Sequence, residues 1–123
     1  MTKIVFIEDE PALQKALGEF LRAQGYEVVA ALNGNDGLTM VRQGRPDLIL
    51  LDLIVPGLPG LDILKNLKGD PETKSIPVIV LTNVESNESV EQAIELGAKA
   101  YLVKTNYALD EVLAKIKGVL GEA

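Results

Sequence analysis

Short apolar runs that end abruptly in a polar residue recur along this 123-residue chain. Four of them stop at Glu8, Asp52, Thr82 and Lys104, and a weaker fifth run, Val28–Ala31, ends without a charged group. Continuous rather than alternating runs are typical of strands that are buried on both faces of a parallel sheet. Since the carboxyl ends of parallel strands meet at one edge, the polar residues that follow them are expected to converge on one crevice.

The segments between these runs have the three- and four-residue apolar spacing of amphipathic helices. The first helix is predicted over 11–24, where Pro11 suits a first helical turn and Gly25 suits a C-terminal cap. The other helices are predicted over 35–42, 60–68, 86–96 and 108–119. Strict alternation of five strands and five helices predicts an α/β fold, with a doubly wound five-stranded parallel sheet in the order 2-1-3-4-5.

The residue types that are missing exclude several kinds of site. The chain has no Cys and no His, which excludes disulfides, thiolate nucleophiles, Ser-His-Asp catalysis and the usual zinc sites. A net charge of -6 argues against direct nucleic-acid binding. Met1 and Thr2 lead at once into a strand-like run rather than a signal peptide, and no apolar stretch could span a bilayer. We therefore expect a cytoplasmic location and no membrane partner.

The residues predicted at the crevice offer carboxylates, a hydroxyl and an ammonium group, from Glu8, Asp9, Asp52, Thr82 and Lys104. Crowded carboxylates either take up protons or bind a cation, and their oxygens favour Mg²⁺, Ca²⁺ or Mn²⁺. A carboxylate can also attack phosphorus and form an acyl phosphate. The crevice is therefore expected to hold a divalent cation and a phosphoryl group, whose oxygens Thr82 and Lys104 would contact.

Each of these residues also has an ordinary structural interpretation. Acids just before Pro11 favour the start of a helix, which accounts for Glu10 but accounts less well for Asp9. Taken alone, Lys104 would more often be a solvated lysine and Thr82 a strand-end hydroxyl. Their shared position at strand ends is what favours the functional interpretation of the set.

Four short stretches resemble the motifs of response-regulator receiver domains of two-component signalling. They are 7–11, 51–53, 81–83 and 100–104, with the sequences IEDEP, LDL, LTN and AYLVK. The similarity extends from Lys3 to Leu120 and implies a CheY-like, flavodoxin-like (βα)5 fold in a single phosphoacceptor domain over residues 1–123. The order 2-1-3-4-5 is also that of this family, so the predicted topology and the resemblance are not independent.

The resemblance implies a phosphoacceptor and a set of metal ligands. Asp52 resembles the phosphoacceptor of the family. Glu8 and Asp9 resemble the acidic pair that holds Mg²⁺, for which Mn²⁺ could substitute, with Asp52 and the backbone carbonyl of Ile54 as further ligands. Glu8 stands where the family more often has Asp, so its longer side chain could reach the ion directly or through water.

The resemblance also implies a switch and its partners. Thr82 resembles the hydroxyl that moves toward the phosphoryl group, Lys104 the pocket lysine, and Tyr101 the aromatic side chain whose rotamer follows Thr82. The donor would be a histidine kinase or a histidine phosphotransfer protein. The surface of the fourth helix, fifth strand and fifth helix would signal to a downstream effector protein or domain, or form a dimer on phosphorylation. Such a domain catalyses its own phosphorylation and dephosphorylation but is not a turnover enzyme.

The chain departs from the family pattern at several positions. Thr105 follows Lys104 where Pro is common, so this peptide bond is expected to be trans. Pro59 occupies a position that is often acidic, which bears on partner contacts there. Ile54 and Val84 are apolar where a polar group could orient an attacking water, and this predicts slow self-dephosphorylation.

Three other functions are alternatives to a working receiver. A pseudo-receiver would use the same fold for protein contacts without phosphorylation, and the complete residue set argues against it. A flavodoxin-like FMN carrier needs a phosphate-binding loop where this chain has the acids 8–10. An aspartyl-phosphate hydrolase would have a second Asp at the position of Pro11. No effector domain follows Leu120, which leaves open a stand-alone receiver or a piece of a longer regulator.

Overall fold

The computed structural model describes residues 1–122, in which strands and helices alternate throughout. The strands are β1 (Lys3–Ile7), β2 (Glu27–Ala31), β3 (Leu48–Leu51), β4 (Val78–Thr82) and β5 (Ala100–Val103). The helices are α1 (Pro11–Ala23), α2 (Gly34–Gly44), α3 (Gly60–Gly69), α4 (Asn87–Glu95) and α5 (Leu109–Leu120). All strands pair in parallel in the order β2-β1-β3-β4-β5, which confirms the predicted fold.

Helix ends lie within two residues of the predicted ones, and one element was not predicted. A short 3-10 helix, Lys104–Asn106, follows β5 directly. The peptide bond between Lys104 and Thr105 is trans, as predicted. No helix in the described part of the chain has both the length and the apolar character needed to cross a membrane.

Alternate residues of the strands pack into two separate hydrophobic cores, one on each face of the sheet. Ile4 and Phe6 of β1 face α1 and α5, whose apolar stripes include Leu17 and Ile116. The other side of β1, which includes Ile7, faces α2, α3 and α4. Every residue of β3 is fully buried, as expected for a central strand that is covered on both faces. This packing fixes the carboxyl edge of the sheet, where the candidate site lies.

The turn after α1 is tied to the end of α5 by a tyrosine. Gly25 has a φ of +99° and follows the helix, so it serves as the predicted C-terminal cap. Next to it, the Tyr26 hydroxyl donates to Glu122 Oε1 at 2.7 Å. Burial, this hydrogen bond and the charge of Glu122 together raise the pKa of Tyr26 to about 12.

Tyr26→Phe is expected to lower the free energy of unfolding by about 1 kcal/mol at neutral pH, because a partly buried hydrogen bond is lost. The folded state holds the Tyr26 proton more tightly than the unfolded state, so this stabilisation is complete below pH 10 and declines as the pH rises toward about 12. Denaturant melts at pH 8 and pH 11 measure the difference. A gap between wild type and variant that widened at the higher pH would contradict the assignment.

Candidate functional site

The carboxyl edge of the sheet brings the predicted site residues together around one cavity. Glu8 follows β1, Asp52 follows β3, Thr82 ends β4 and Lys104 follows β5. The cavity has a volume of about 220 Å³ and is lined by Glu8, Asp9, Glu10, Asp52, Ile54, Thr82, Asn83 and Lys104. A larger groove of about 720 Å³ between α2 and α3 contains none of the predicted residues. The smaller cavity is therefore the candidate site, because the reactive groups are concentrated there.

Lys104 lies at the centre of the acidic cluster. Its Nζ donates to Asp52 Oδ2 at 2.8 Å, lies 2.6 Å from Glu8 Oε1 and lies 3.6 Å from Glu10 Oε2. The Glu8 side chain is fully buried and that of Lys104 is only 12% exposed. Since water is largely excluded, each of these charges depends on the others for its stabilisation.

The pKa directions of the cluster follow from burial and from these contacts. Burial raises the pKa of Glu8, and the negative charge of Asp52 acts in the same direction, while the contact with Lys104 and the N–H of Glu10 oppose them. Burial alone would lower the pKa of Lys104, but its contacts with Asp52 and Glu8 outweigh burial and raise it. Lys104 is therefore firmly protonated at neutral pH and serves as a fixed positive charge beside Asp52.

The acidic residues fit a divalent cation. Glu8, Asp9 and Asp52 each offer a carboxylate oxygen, and these oxygens lie within 4.8 Å of one another. Although Glu8 Oε1 is close to Lys104, within the described chain it is a buried oxygen that accepts no hydrogen bond. A hard cation such as Mg²⁺ would use this oxygen and neutralise the excess negative charge.

The loop after β3 orients Asp52. The backbone N–H of Ile54 donates to Asp52 Oδ1 at 3.1 Å, so both carboxylate oxygens of Asp52 have a donor. The loop closes where the N–H of Gly60 donates to the carbonyl of Leu53. A Cβ at Gly60 would lie 2.3 Å from the Leu53 Cα, so only glycine allows this closure. Asp52 precedes this loop and does not cap a helix, since Pro59 is the N-cap residue of α3.

Thr82 and Tyr101 are connected through the backbone of one residue. Thr82 is fully buried, and its Oγ1 accepts a long hydrogen bond of 3.4 Å from the N–H of Val84. The Tyr101 hydroxyl donates to the carbonyl of the same Val84 at 2.7 Å. Burial raises the pKa of Tyr101, and the charge of Asp52 adds to this shift. The half-buried ring packs against the core that faces α4, a position that the sequence did not predict.

Sequence reasoning missed three residues around the site. Glu10 is the N-cap residue of α1 but its side chain makes no capping hydrogen bond, and its carboxylate lies near Lys104 instead. Asn83 lines the cavity, whereas Val84, which was expected to flank it, contributes backbone contacts. Gln14 is a buried amide on the apolar stripe of α1, and a polar residue at that spacing was the signal that could have found it.

The family of response regulator receiver domains matches residues 4–117 of this chain. The chain is 36% identical over 104 residues to protein PilH of Pseudomonas aeruginosa, and the matched region covers 85% of this chain and 86% of that protein. It is 34% identical over 120 residues to the polar-differentiation response regulator DivK of Brucella anthropi, and this match covers 98% of this chain and 97% of that protein. It spans about half of the phosphate regulon transcriptional regulatory protein PhoB of Rhizobium meliloti, at 33% identity over 123 residues, 100% of this chain and 54% of that protein.

Solved structures show the same fold. A CheY-like receiver domain protein of Methanospirillum hungatei has a TM-score of 0.92 and 26% identity, covering 98% of this chain and 94% of that one. The receiver domain of the Pseudomonas aeruginosa sensor histidine kinase PA1611 was solved with a magnesium ion in its active-site cleft. It has a TM-score of 0.88 and 25% identity, and the match covers 98% of both chains. The Mn²⁺-bound response regulator Rcp1 has a TM-score of 0.83 and 28% identity, and the match covers 97% of this chain and 91% of that one. With its matching strand order and acidic crevice, this chain belongs to the receiver domains of two-component response regulators.

Proposed function

We propose that this receiver accepts a phosphoryl group on Asp52 in a Mg²⁺-dependent reaction. The observation that carries the proposal is the combination, in one cavity, of a nearly buried Asp52, the Lys104 ammonium at 2.8 Å and a fully buried Glu8 carboxylate that shares the same ammonium. Glu8, Asp9 and Asp52, with the backbone carbonyl of Ile54, would hold the ion. Related receivers have been solved with Mg²⁺ and with Mn²⁺, which supports either ion at this position.

The chemical step is a nucleophilic substitution at phosphorus. A carboxylate oxygen of Asp52 forms a bond to phosphorus while the bond from phosphorus to the donor breaks. If the donor is a phosphohistidine, the electron pair goes to the histidine nitrogen, which recovers a proton from solvent. A bound Mg²⁺ would offset the negative charge of the phosphoryl oxygens. Lys104 holds a fixed positive charge at the site, and Thr82 offers a hydroxyl hydrogen bond from β4.

Signalling to partners would follow from a population shift. Phosphorylation adds about 1.5 to 2 negative charges and three strong acceptors. Drawing Thr82 toward the phosphoryl oxygens would break its hydrogen bond with the N–H of Val84. Val84 also accepts the hydrogen bond of the Tyr101 hydroxyl, so Tyr101 would be affected as well. The surface of α4, β5 and α5 would then favour a second state, to the extent that the phosphoryl group interacts differently with the two states.

The partners in this proposal follow from the family. A histidine kinase or histidine phosphotransfer protein would supply the phosphoryl group, and a downstream effector protein or domain, or a second copy of the chain, would bind the switched surface. The domain would catalyse only its own phosphorylation and dephosphorylation, and it would not be a turnover enzyme. We place it in the cytoplasm, where the ATP that charges such kinases is made.

Intact mass after incubation with acetyl phosphate, with and without Mg²⁺, tests the proposal. We expect one phosphoryl adduct that depends on the metal. A second outcome is that Mg²⁺ raises the melting temperature but acetyl phosphate gives no adduct. In that case we expect the adduct to form when a phosphorylated histidine phosphotransfer protein is the donor. No adduct from either donor and no response to Mg²⁺ would reject the proposal and favour a pseudo-receiver.

The phosphoryl group is expected to be long-lived because the side chain beside it is apolar. Ile54 lines the cavity and is 66% exposed, so Ile54→Asn would place an amide where it can orient water toward phosphorus. We expect the adduct to decay about 10-fold faster in this variant, less than the effect of a full general base, because an amide orients water but takes no proton from it. Decay of the intact-mass adduct after removal of acetyl phosphate measures it.

Leu32→Asn is the matched control for this prediction. Leu32 is also exposed, at 56%, and follows β2 at the same edge of the sheet, but it does not line the cavity. Its decay should match wild type. Equal lifetimes in wild type and Ile54→Asn would show that the apolar side chain does not set the rate.

A further inference from the structure

Gln14 is a polar residue in the apolar stripe of α1, and its side chain reaches the end of β1. It is 9% exposed. Its Nε2 donates to the carbonyls of Glu8 at 2.9 Å, Phe6 at 3.1 Å and Ala31 at 3.3 Å. A primary amide has two N–H donors, so the two hydrogens are shared among these acceptors. One side chain therefore joins α1 to the carboxyl ends of both β1 and β2.

The contact with Glu8 bears directly on the acidic pair. The carbonyl of Glu8 belongs to the peptide unit that links Glu8 to Asp9, and this unit is planar. A hydrogen bond that fixes the carbonyl therefore fixes the ψ angle of Glu8 and the φ angle of Asp9. The N–H of Glu8 is held from the other side by the carbonyl of Ala31 at 2.9 Å, and that carbonyl also accepts from Gln14.

The direction of Asp9 has few other constraints. The Glu8 carboxylate is held by Lys104 and by the N–H of Glu10, whereas Asp9 is exposed. Carboxylate oxygens of Glu8, Asp9 and Asp52 nevertheless lie within 4.8 Å of one another. The backbone direction set by α1 and β2 is what brings the Asp9 carboxylate beside that of Glu8 at the same cavity.

We propose that Gln14 is a positioning residue for the cation site: it clamps the Glu8–Asp9 peptide so that both carboxylates point at one ion. This inference rests on the proposed function, since it concerns the metal that phosphorylation would require. It predicts that loss of the amide weakens metal binding and leaves the chemical step at saturating metal nearly unchanged.

Gln14→Met tests the clamp. Methionine has a similar length and flexibility and fills the buried space, but it donates no hydrogen bond. The concentration of Mg²⁺ at half-maximal phosphorylation by acetyl phosphate should rise about 10-fold or more, as is typical when a group that orients metal ligands is removed. The plateau rate at saturating Mg²⁺ should stay within about 3-fold of wild type, because Asp52, Thr82 and Lys104 are untouched. Calorimetric titration with Mg²⁺ alone provides a readout that is independent of phosphorylation.

Leu21→Val is the control for a merely structural role. Leu21 is fully buried on the same helix, two turns beyond Gln14, and packs in the core that faces α1 and α5. It should lower the melting temperature without changing the affinity for Mg²⁺. The proposal is overturned if Gln14→Met binds Mg²⁺ as tightly as wild type, or if Leu21→Val weakens Mg²⁺ binding equally. A wild-type chain that binds no Mg²⁺ would overturn the proposed function as well, which separates the two failures.

Discussion

Asp52→Asn is expected to abolish the phosphoryl adduct that wild type forms with acetyl phosphate and Mg²⁺. The asparagine side chain has nearly the same shape, and its one oxygen can still accept the hydrogen bond from the N–H of Ile54, although its NH2 group cannot accept from Lys104. It has no anionic oxygen, however, and a neutral amide is a poor nucleophile toward phosphorus. Intact-mass spectrometry of the two proteins under identical conditions measures the loss.

Asp47→Asn is the matched control for this experiment. Asp47 directly precedes the same strand, at the opposite edge of the sheet, where its carboxylate accepts from the N–H of Lys3 at 2.7 Å. The substitution changes the net charge by the same amount and should leave the adduct intact. An adduct that persisted in Asp52→Asn would show that another carboxylate is the acceptor, and Asp9 would then be the first to replace.

The sheet could be predicted from the sequence because its signals are local. Each strand is a continuous apolar run, and each crossover helix has its own amphipathic period. The carboxyl edge then collects Glu8, Asp52, Thr82 and Lys104 whatever the exact helix ends are. Pro11 and Gly60 start their helices as predicted, whereas the other helix ends differ from the predicted ones by one or two residues, since terminal turns depend on caps such as Asn33 before α2.

The sequence could not predict contacts that depend on side-chain reach or on loop conformation. Lys104 lies as close to Glu8 as to Asp52, and this contact depends on how far the longer side chain of Glu8 reaches, at a position where the family more often has Asp. Tyr101 is held by the carbonyl of Val84, a contact set by the loop between β4 and α4. The spacing of Gln14 on α1 marks it as unusual, but its partners are backbone carbonyls, which an amino-acid pattern does not reveal.

The second large effect is expected when the charge of Lys104 is removed. In Lys104→Met, the fully buried Glu8 and the nearly buried Asp52 would share one cavity without their counter-charge. Leaving a buried charge uncompensated is strongly destabilising. We therefore expect the free energy of unfolding, measured without metal, to fall by about 3 kcal/mol.

Mg²⁺ should restore most of this loss, because a cation held by Glu8, Asp9 and Asp52 supplies the positive charge that Lys104 provided. In wild type the ammonium already offsets part of this negative charge, so the gain in stability on adding Mg²⁺ should be smaller there than in Lys104→Met. Denaturant melts with and without Mg²⁺ measure both gains. Lys115→Met, an exposed position on α5, should change stability by no more than about 0.5 kcal/mol and respond to Mg²⁺ as wild type does. A Lys104→Met protein as stable as wild type without metal would mean that Glu8 and Asp52 do not depend on Lys104 for their compensation, and the cavity would then have to be electrostatically balanced in another way.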